Sequence, residues 1–421
     1  MLEHYFIRPT TIDRIRNAWL GESIEQYVTW LHENHYAART IFSRVPLLLQ
    51  FGSFAQEQGA TSKEQLPEFI DAFVANWVKN HKQWCSNSID QRCVENAARN
   101  PIVQLLRLTQ PDNVSRIHQD LPIPFVVPAP GFFPYLRQER GIKETTIAQY
   151  QHYLRQFERY LEVIKLEQLS ALSIPVVSCF ITESSRRLSK NSLRYPVGVL
   201  RVFLAYLYRE QLITEDLGRS VEAPQNCRLA SVPRSISWEE VRLLLASVDQ
   251  RSPVGKRDYA ILMLLVTYGL RAREIAALTL DSIDWKRERL FVPERKAGHT
   301  TAYPLSPIVA EAIIHYLQNG RPKTKCRALF FSAMAPYRPL TWAAISQRTA
   351  YRIRNAGIQV PRAGAHTLRH TCIQRLVDAD FSLKSIGDYV GHRSPDATEV
   401  YTKVAIETLR QVALGEGEKI V

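Results

Sequence analysis

Apolar residues recur at helical spacing through most of residues 1–225. The segment TIAQYQHYLRQFERYLEVI shows the pattern clearly, because Ile147, Tyr150, Leu154, Phe157 and Leu161 fall on one face of a helix. The sequence therefore predicts amphipathic helices that pack together through such apolar stripes.

Two proline-marked stretches divide the chain. LPIPFVVPAPG, residues 121–131, cannot continue a helix and predicts an extended linker, and EAPQNCRLASVPR, residues 222–234, predicts a second and more polar one. The expected domains are residues 1–125, 126–225 and 235–421.

The first two domains also look like weak copies of each other. YVTWLHENHYAARTIFSRVPLLLQFGSF and FPYLRQERGIKETTIAQYQHYLRQFERYL share a Leu, a Thr-Ile and a Gln-Phe, so either an internal duplication or convergent amphipathic helices explains the match.

The spacing of apolar residues changes within the third block, residues 235–421. SISWEEVRLLLASV begins a helix that Ser235 or Ser237 can cap, and the almost wholly apolar RDYAILMLLVTYG predicts a helix at the centre of the core. RLFVPERKAGHTTAYPL then reads as two short strands around a turn, before the helical pattern returns. The predicted fold class is mainly α with a small β-sheet in the C-terminal domain.

Charge adds a candidate partner to this picture. The chain has 54 Lys and Arg against 41 Asp and Glu, a formal net charge of +13. Such an excess favours an extended polyanion, because each neutralised phosphate releases condensed counterions, although a merely soluble basic protein would show the same balance. The six cysteines form no CxxC pair, and no signal peptide or long apolar run occurs. We expect reduced thiols, no membrane partner, and a cytoplasmic, nucleoid-associated protein.

The first candidate site lies in GAHTLRHTCIQRL, residues 364–376. His366 and His370 have the spacing of a two-histidine metal pair, but the metalloprotease motif would place Glu where Thr367 stands. Arg369 argues for an anion instead, because a guanidinium beside an imidazole repels a divalent cation. A phosphate is the anion that suits a basic protein, and no metal is expected.

Two further segments carry residues of the same chemistry. Arg271 in GLRAREIAAL precedes Glu274, and alone the pair would be an exposed helical ion pair worth roughly a few tenths of a kcal/mol. In YVGHRSPDATEVYTKVA, the Ser-Pro pair is typical of a helix start, so His392 lies just before a helix and Tyr401 within it. A tyrosine at such a position is ordinarily a packed aromatic, and only its neighbours give it another role.

The ordered set of these residues resembles the tyrosine recombinase family, also called phage integrases. The signature of that family is an Arg, a Lys in a β-turn, a His-x-x-Arg, a later His or Trp, and a Tyr, and each has a match here in that order. The resemblance covers the third block throughout and the second by its helical pattern, which implies a helical core-binding domain before a tyrosine recombinase catalytic domain. The catalytic residues that it implies are Arg271, Lys296, His366, Arg369, His392 and Tyr401.

The resemblance also implies a role for each residue. Tyr401 is the nucleophile, and Arg271 and Arg369 clamp the phosphate. His366 and His392 donate hydrogen bonds to the nonbridging oxygens or help to manage protons. These residue types suit the reaction because attack on a phosphodiester builds negative charge on its equatorial oxygens, which guanidinium and imidazole groups stabilise.

Lys296 matches the hairpin lysine that protonates the leaving 5′ oxygen. This chain departs from the family there, since it reads Arg-Lys-Ala-Gly where the family usually has Gly-Lys-Gly, and an ordinary turn lysine is the alternative.

No cofactor is expected, because a phosphotyrosine conserves the energy of the broken bond and the chain has no GxxxxGK phosphate loop. The arginines do the electrostatic work of a metal.

The two helical blocks are expected to bind double-stranded DNA around the cut site. Lys143 and Thr145 lie at the predicted start of one helix, and Lys190, Arg194 and Arg201 along another. Phosphate contacts of this kind position a duplex without reading its sequence, whereas a solvated helical face is the plainer interpretation. The first block is expected to be an arm-binding or core-binding-like module.

The leading hypothesis is a site-specific recombinase that integrates or excises a mobile element through a covalent 3′-phosphotyrosine. The resemblance implies a homotetramer on two DNA sites, with or without sister recombinases. A type IB topoisomerase shares this chemistry, and a noncatalytic DNA-binding protein on the same scaffold is the other alternative.

Overall fold

Helices dominate the structure. A computed structural model describes residues 1–81, 83, 88–110, 122–222, 235–293 and 301–391. The chain forms two compact units, one of Met1–Ile117 with Ser231–Val421 and the other of His118–Ala230. The predicted class, mainly α with a small sheet, is confirmed. None of the described helices is both long and apolar enough to cross a membrane.

The N-terminal helices enclose an apolar core of their own. Tyr27, Leu48 and Phe51 are fully buried within it. The helices are α1 (Leu2–Tyr5), α2 (Pro9–Arg16), α3 (Gly21–Glu33), α4 (Ala38–Glu57), α5 (Leu66–Asn80) and α6 (Ser88–Thr109), with a 3-10 turn at Lys63–Gln65.

The second unit is also helical. As predicted, Ile147, Leu154, Phe157 and Leu161 are buried along one face of a single helix, and Tyr150 packs at its edge. The helices are α7 (Phe132–Gln138), α8 (Glu144–Val163), α9 (Ile174–Arg187), α10 (Lys190–Arg209) and α11 (Leu217–Ser220), with a 3-10 turn at Leu169–Ala171.

The two helical blocks share one order of elements. In each block a helix leads into a 20-residue helix, α4 or α8, followed by a 3-10 turn. The next helices, α5 and α9, have 15 and 14 residues, and those that follow them, α6 and α10, have 22 and 20 residues with a proline inside each. The second block ends with the additional short helix α11. Ile41 and Ile147, from the Thr-Ile matches in the sequence, are both buried in the first turns of the 20-residue helices. This shared order favours internal duplication.

The first proline-marked stretch is not the extended linker that its composition predicted. Residues 124–128 form turns, and Phe125 has a positive φ of 57°. Its ring is 3% exposed and packs against Phe157 and Phe203, with ring centroids 6.0 and 4.7 Å away. Prolines exclude the helix interior but not a compact turn, and burial of the aromatic ring stabilises that turn.

The C-terminal block surrounds an apolar central helix. α13 (Pro253–Tyr268) is buried over most of its length, as predicted. Ser237 caps the helix that precedes it, Trp238–Ala246, by accepting from Glu240 N at 3.1 Å. The other elements are α12 (Trp238–Ala246), α14 (Ala272–Ala276), a 3-10 turn at Leu280–Ser282, β1 (Ile283–Asp284), β2 (Arg289–Val292), β3 (Thr301–Pro304), α15 (Pro307–Asn319), α16 (Trp342–Asn355), α17 (Ala365–Asp378) and α18 (Leu383–Val390).

The described strands form one antiparallel sheet in the order β1, β2, β3. The two predicted strands pair as a hairpin in which Leu290 faces Tyr303 and Val292 faces Thr301. Strand β1 was not predicted, because its two residues are too few to show an alternating pattern.

A buried ion cluster joins α13 to α16. Asp258 is 2% exposed and accepts hydrogen bonds from Arg257 at 2.7 Å, from Arg348 at 2.6 Å and from Arg352 at 2.9 Å. Arg257 also donates to Phe331 O at 3.0 Å. These bonds fix one helix against the other.

Candidate active site

Arg271 lies at the turn between α13 and α14. Gly269 ends α13 in the left-handed conformation with φ 58°, and Arg271 is the N-cap of α14. The carboxylate of Glu274 accepts from Arg271 N at 2.8 Å and from Arg271 Nη1 at 2.8 Å. The side chain of Glu274 is only 6% exposed, and that of Arg271 is 27% exposed.

This geometry corrects the plainer interpretation of the pair. The sequence alone was consistent with an exposed helical ion pair, but Glu274 is buried and holds both the backbone and the guanidinium of Arg271. A carboxylate at N3 that reaches back to the N-cap amide is half of a capping box, so the spacing of the two residues carried a signal that an exposed ion pair does not account for.

Arg369 reaches the same place from α17. It is 3% exposed, and its guanidinium donates to the carbonyl oxygens of Gly269 and Val390, the latter at 2.7 Å. Burial and these two bonds fix the plane of the guanidinium. Gly269, two residues before Arg271, therefore links the elements that carry the two arginines.

The end of α18 receives both guanidiniums. Arg271 Nη2 donates to Gly391 O at 3.0 Å, next to the Val390 carbonyl that accepts from Arg369. Gly391 has φ 66°, a left-handed conformation that favours glycine and that turns the end of the helix. Two arginines from separate elements thus converge on consecutive carbonyls, and we call Arg271, Arg369 and these two carbonyls the arginine clamp.

His366 stands beside the arginine clamp, one turn before Arg369 on α17. Its side chain is exposed, yet desolvation by the surrounding atoms lowers its pKa below the ordinary value, and the positive charges of Arg369 and Arg271 lower the pKa further. A lowered pKa keeps the imidazole neutral near pH 7. His370 lies one turn further on, with its ring centroid 6.1 Å from that of His366.

Cys372 packs beneath the clamp. Its Sγ lies 3.6 Å from Thr267 O, and burial raises the pKa of its thiol to about 11. A Cβ added at Gly269 would come within 3.2 Å of that sulfur, so a side chain at Gly269 would be crowded there and strained by the positive φ. This close approach of α17 to the end of α13 brings the arginines together.

Three predicted catalytic residues, Lys296, His392 and Tyr401, lie outside the described residues. Their neighbours in the chain are described. Strands β2 and β3 flank the segment that contains Lys296, and Gly391, whose carbonyl accepts from Arg271, directly precedes His392. Of the six predicted catalytic residues, the structure brings together Arg271, His366 and Arg369.

The predicted DNA-contacting residues all lie in the second unit and are exposed. Lys143 is the N-cap of α8 and Thr145 lies in its first turn, as the predicted helix start required. Lys190, Arg194 and Arg201 are exposed along α10. Arg194 and Arg201 are separated by about two helical turns and therefore share one face.

No cluster of three His, Cys, Asp or Glu side chains that could hold a metal ion occurs among the described residues. The groups that the described site presents are the guanidiniums of Arg271 and Arg369 and the imidazole of His366. Such donors stabilise negative charge on an oxyanion when they are held in place beforehand.

Comparison of the chain with known proteins identifies its family. Residues 234–408 match the model of the phage integrase family, and residues 130–211 match the phage integrase, N-terminal SAM-like domain. The putative integrase/recombinase y4gC of Sinorhizobium fredii is 40% identical over 186 residues, which are 44% of this chain and 95% of that protein. This chain belongs to the phage integrase family.

The similarity of this integrase-family protein to known proteins extends beyond residues 234–408. The putative integrase/recombinase y4rA of Sinorhizobium fredii is 29% identical over 395 residues, 92% of each chain. The structure of the XerH site-specific recombinase bound to a palindromic difH substrate, a post-cleavage complex, is 17% identical. It matches with a TM-score of 0.55 over 84% of this chain and 97% of that one, which shows a shared fold. The family recognised from the sequence, a family of site-specific DNA recombinases, is confirmed.

Proposed function

We propose that this recombinase cuts and rejoins double-stranded DNA through a 3′-phosphotyrosine at Tyr401, to integrate or excise a mobile element. The observation that carries the proposal is the convergence of Arg271 and Arg369 on Val390 O and Gly391 O, with His366 beside them. A scissile phosphate is the anion for which this grouping of cationic donors is suited.

The arginine clamp acts on charge. A guanidinium can donate several hydrogen bonds at once, so its bonds to carbonyls fix its orientation while it binds a phosphate. In the transition state the nonbridging oxygens carry more negative charge than in the bound substrate. Donors that are already oriented stabilise that state more than the ground state, which accelerates cleavage.

The remaining predicted residues take part in the proton transfers that accompany cleavage. The Tyr401 oxygen forms a bond to phosphorus while the bond from phosphorus to the 5′ oxygen breaks. The phenol proton passes to a neutral imidazole, for which the lowered pKa of His366 is suited. Lys296 gives a proton to the leaving 5′ oxygen, and His392 donates to a nonbridging oxygen. Attack by a 5′ hydroxyl on the phosphotyrosine reverses these transfers and reseals the strand.

The rest of the chain holds the DNA. We assign residues 126–225 as the core-binding domain, with Lys143, Thr145, Lys190, Arg194 and Arg201 on phosphates, and residues 235–421 as the catalytic domain. Residues 1–125 form an additional helical module. Four copies act together on two DNA sites at the nucleoid, with or without sister recombinases.

A covalent trap tests the proposal. Nicked suicide duplexes made from the DNA that flanks the encoding gene would be incubated with the wild-type chain and with Tyr401→Phe. Cleavage near the nick releases a short fragment and prevents resealing, so the wild-type chain should accumulate a covalent adduct that survives denaturing gels. Tyr401→Phe should bind the same duplexes without forming the adduct.

The alternative outcomes are distinct. Binding without an adduct on every duplex would overturn the proposal in favour of a noncatalytic DNA-binding protein. An adduct accompanied by relaxation of supercoiled plasmid, with no recombinant product from paired sites, would favour a type IB topoisomerase.

A further inference from the structure

Three tyrosines pack in a row beside the arginine clamp. Tyr268 ends α13, Tyr303 lies in β3 and Tyr389 lies in the last turn of α18. The ring centroids of Tyr268 and Tyr303 are 5.1 Å apart, and those of Tyr303 and Tyr389 are 5.2 Å apart. Tyr268 and Tyr303 are 2% and 3% exposed, and Tyr389 is partly buried and packs against the same core.

Their hydroxyl groups join three elements through backbone carbonyls. Tyr303 donates to Tyr389 O, and Tyr389 donates to Thr267 O at 3.0 Å. Tyr268 donates to Pro304 O at 3.0 Å and accepts from Ser306 N at 2.8 Å. Strand β3 is therefore tied to both α13 and α18 by bonds that phenylalanine could not make.

The carbonyl that accepts the Tyr303 hydrogen bond directly precedes the two carbonyls of the arginine clamp. Those two carbonyls, of Val390 and Gly391, accept from Arg369 and Arg271. Three consecutive carbonyls thus receive one donor from the hairpin and two from the arginine clamp. Any movement of β3 that displaces Tyr389 O also displaces the peptide groups that orient both guanidiniums.

We propose that Tyr303 is a positioning residue that couples the β2–β3 hairpin to the arginine clamp. Packing alone does not require its hydroxyl, since a phenyl ring would fill the same space in the row. A buried phenol needs a hydrogen-bond partner, and this one meets the segment that holds both arginines. The inference rests on the proposed function, because the arginine clamp has a catalytic role only if that proposal holds.

The test compares two matched variants in the full chain. Tyr303→Phe removes the hydroxyl from the clamp side of the domain. Tyr316→Phe removes the hydroxyl of a similarly buried tyrosine, 1% exposed, that accepts from Phe331 N at 3.3 Å. Each variant removes the hydroxyl of a buried tyrosine that takes part in a hydrogen bond, so a general loss of stability should be similar in both.

Two measurements separate positioning from plain stability. Hydrogen–deuterium exchange of the free protein should be faster over residues 383–391 in Tyr303→Phe and unchanged there in Tyr316→Phe. With saturating protein, adduct formation on the suicide duplex should be on the order of tenfold slower in Tyr303→Phe, because small displacements of catalytic groups are costly. The Kd for the same duplex should stay within about twofold, because the hydroxyl is not a DNA contact.

Either of two results would overturn the coupling: unchanged exchange over 383–391 in Tyr303→Phe, or equal cleavage by the two variants. If the wild-type chain forms no adduct, the proposed function fails on that result. The exchange measurement needs no DNA and still decides whether Tyr303 holds the end of α18.

Discussion

Arg271 and Arg369 donate to consecutive peptide carbonyls at the end of one helix. The distances are 3.0 Å from Arg271 Nη2 to Gly391 O and 2.7 Å from Arg369 Nη2 to Val390 O. The two side chains come from different elements, so this segment is the shared support of the arginine clamp. Groups that share a support act as a unit, and their substitutions are not expected to have additive effects.

Removing either arginine should slow DNA cleavage strongly. We expect Arg271→Ala and Arg369→Ala each to reduce the single-turnover rate of adduct formation by roughly 10² to 10³, the cost of one preorganised donor. The double variant should be little slower than the worse single variant. Arg327→Ala is the control, because this exposed arginine pairs with Asp281. If the rate reductions of the two single variants multiply in the double variant, the two arginines do not act as a unit.

Glu274→Gln should weaken catalysis through Arg271. The charge that holds Arg271 Nη1 would be lost while the size of the side chain is kept, so we expect about tenfold slower cleavage with little change in the Kd for DNA. Glu183→Gln serves as the comparison, since its carboxylate forms an exposed pair with Arg187. Wild-type cleavage by Glu274→Gln would exclude a positioning role for this carboxylate.

The pKa of His366 should report the charge of the clamp. Proton NMR should place the pKa below the ordinary 6.5, and Arg271→Gln should raise it only part of the way back, because desolvation is the larger cause. A titration of the wild-type imidazole at or above 6.5 would contradict the described geometry.

The same pKa predicts a pH dependence of stability. The folded-state pKa lies below that of the unfolded chain, so below about pH 6.5 the unfolded chain binds this proton more readily. His366 therefore lowers the free energy of unfolding at acid pH, and its effect disappears above that range. Between about pH 7 and pH 5, the free energy of unfolding measured in urea should fall less steeply for His366→Gln than for the wild type.

Asp258→Asn should destabilise the protein, although Asp258 takes no direct part in DNA cleavage. The substitution leaves three arginines around a neutral amide in a buried site, and breaking such a pair costs about 3 to 5 kcal/mol. Urea unfolding should show the loss as a lower midpoint. Asp281→Asn breaks an exposed pair with Arg327, which water screens, and should leave the urea midpoint nearly unchanged. Similar midpoints for the two variants would contradict the structural role of Asp258.

The exposed arginines of α10 should appear in the salt dependence of DNA binding. Arg194→Ala and Arg201→Ala should each reduce the slope of log K against log salt by about 1, since each removes one phosphate contact. Arg187→Ala, on a neighbouring helix and paired with Glu183 at 2.8 Å, should leave the slope unchanged. Equal slopes in all three variants would exclude α10 as a phosphate-binding face.

Local patterns of the sequence were reliable for individual elements. The apolar stripe of α8, the Ser237 cap, the buried helix α13 and the β2–β3 hairpin all agree with the prediction. Each depends on residues close together in the chain, whose periodicity or capping geometry is visible without the fold. The error at Phe125 arose where a long-range aromatic contact decided a turn.

The sequence by itself determined the type and order of the chemical groups, because the identity and spacing of Arg271, His366 and Arg369 are written in it. Only the tertiary structure decided that Glu274 is buried, that Val390 O and Gly391 O receive both arginines, and that Tyr303 meets Tyr389. These contacts join elements far apart in the chain. Their geometry is set by how helices and strands pack, and no local pattern of residues encodes that packing.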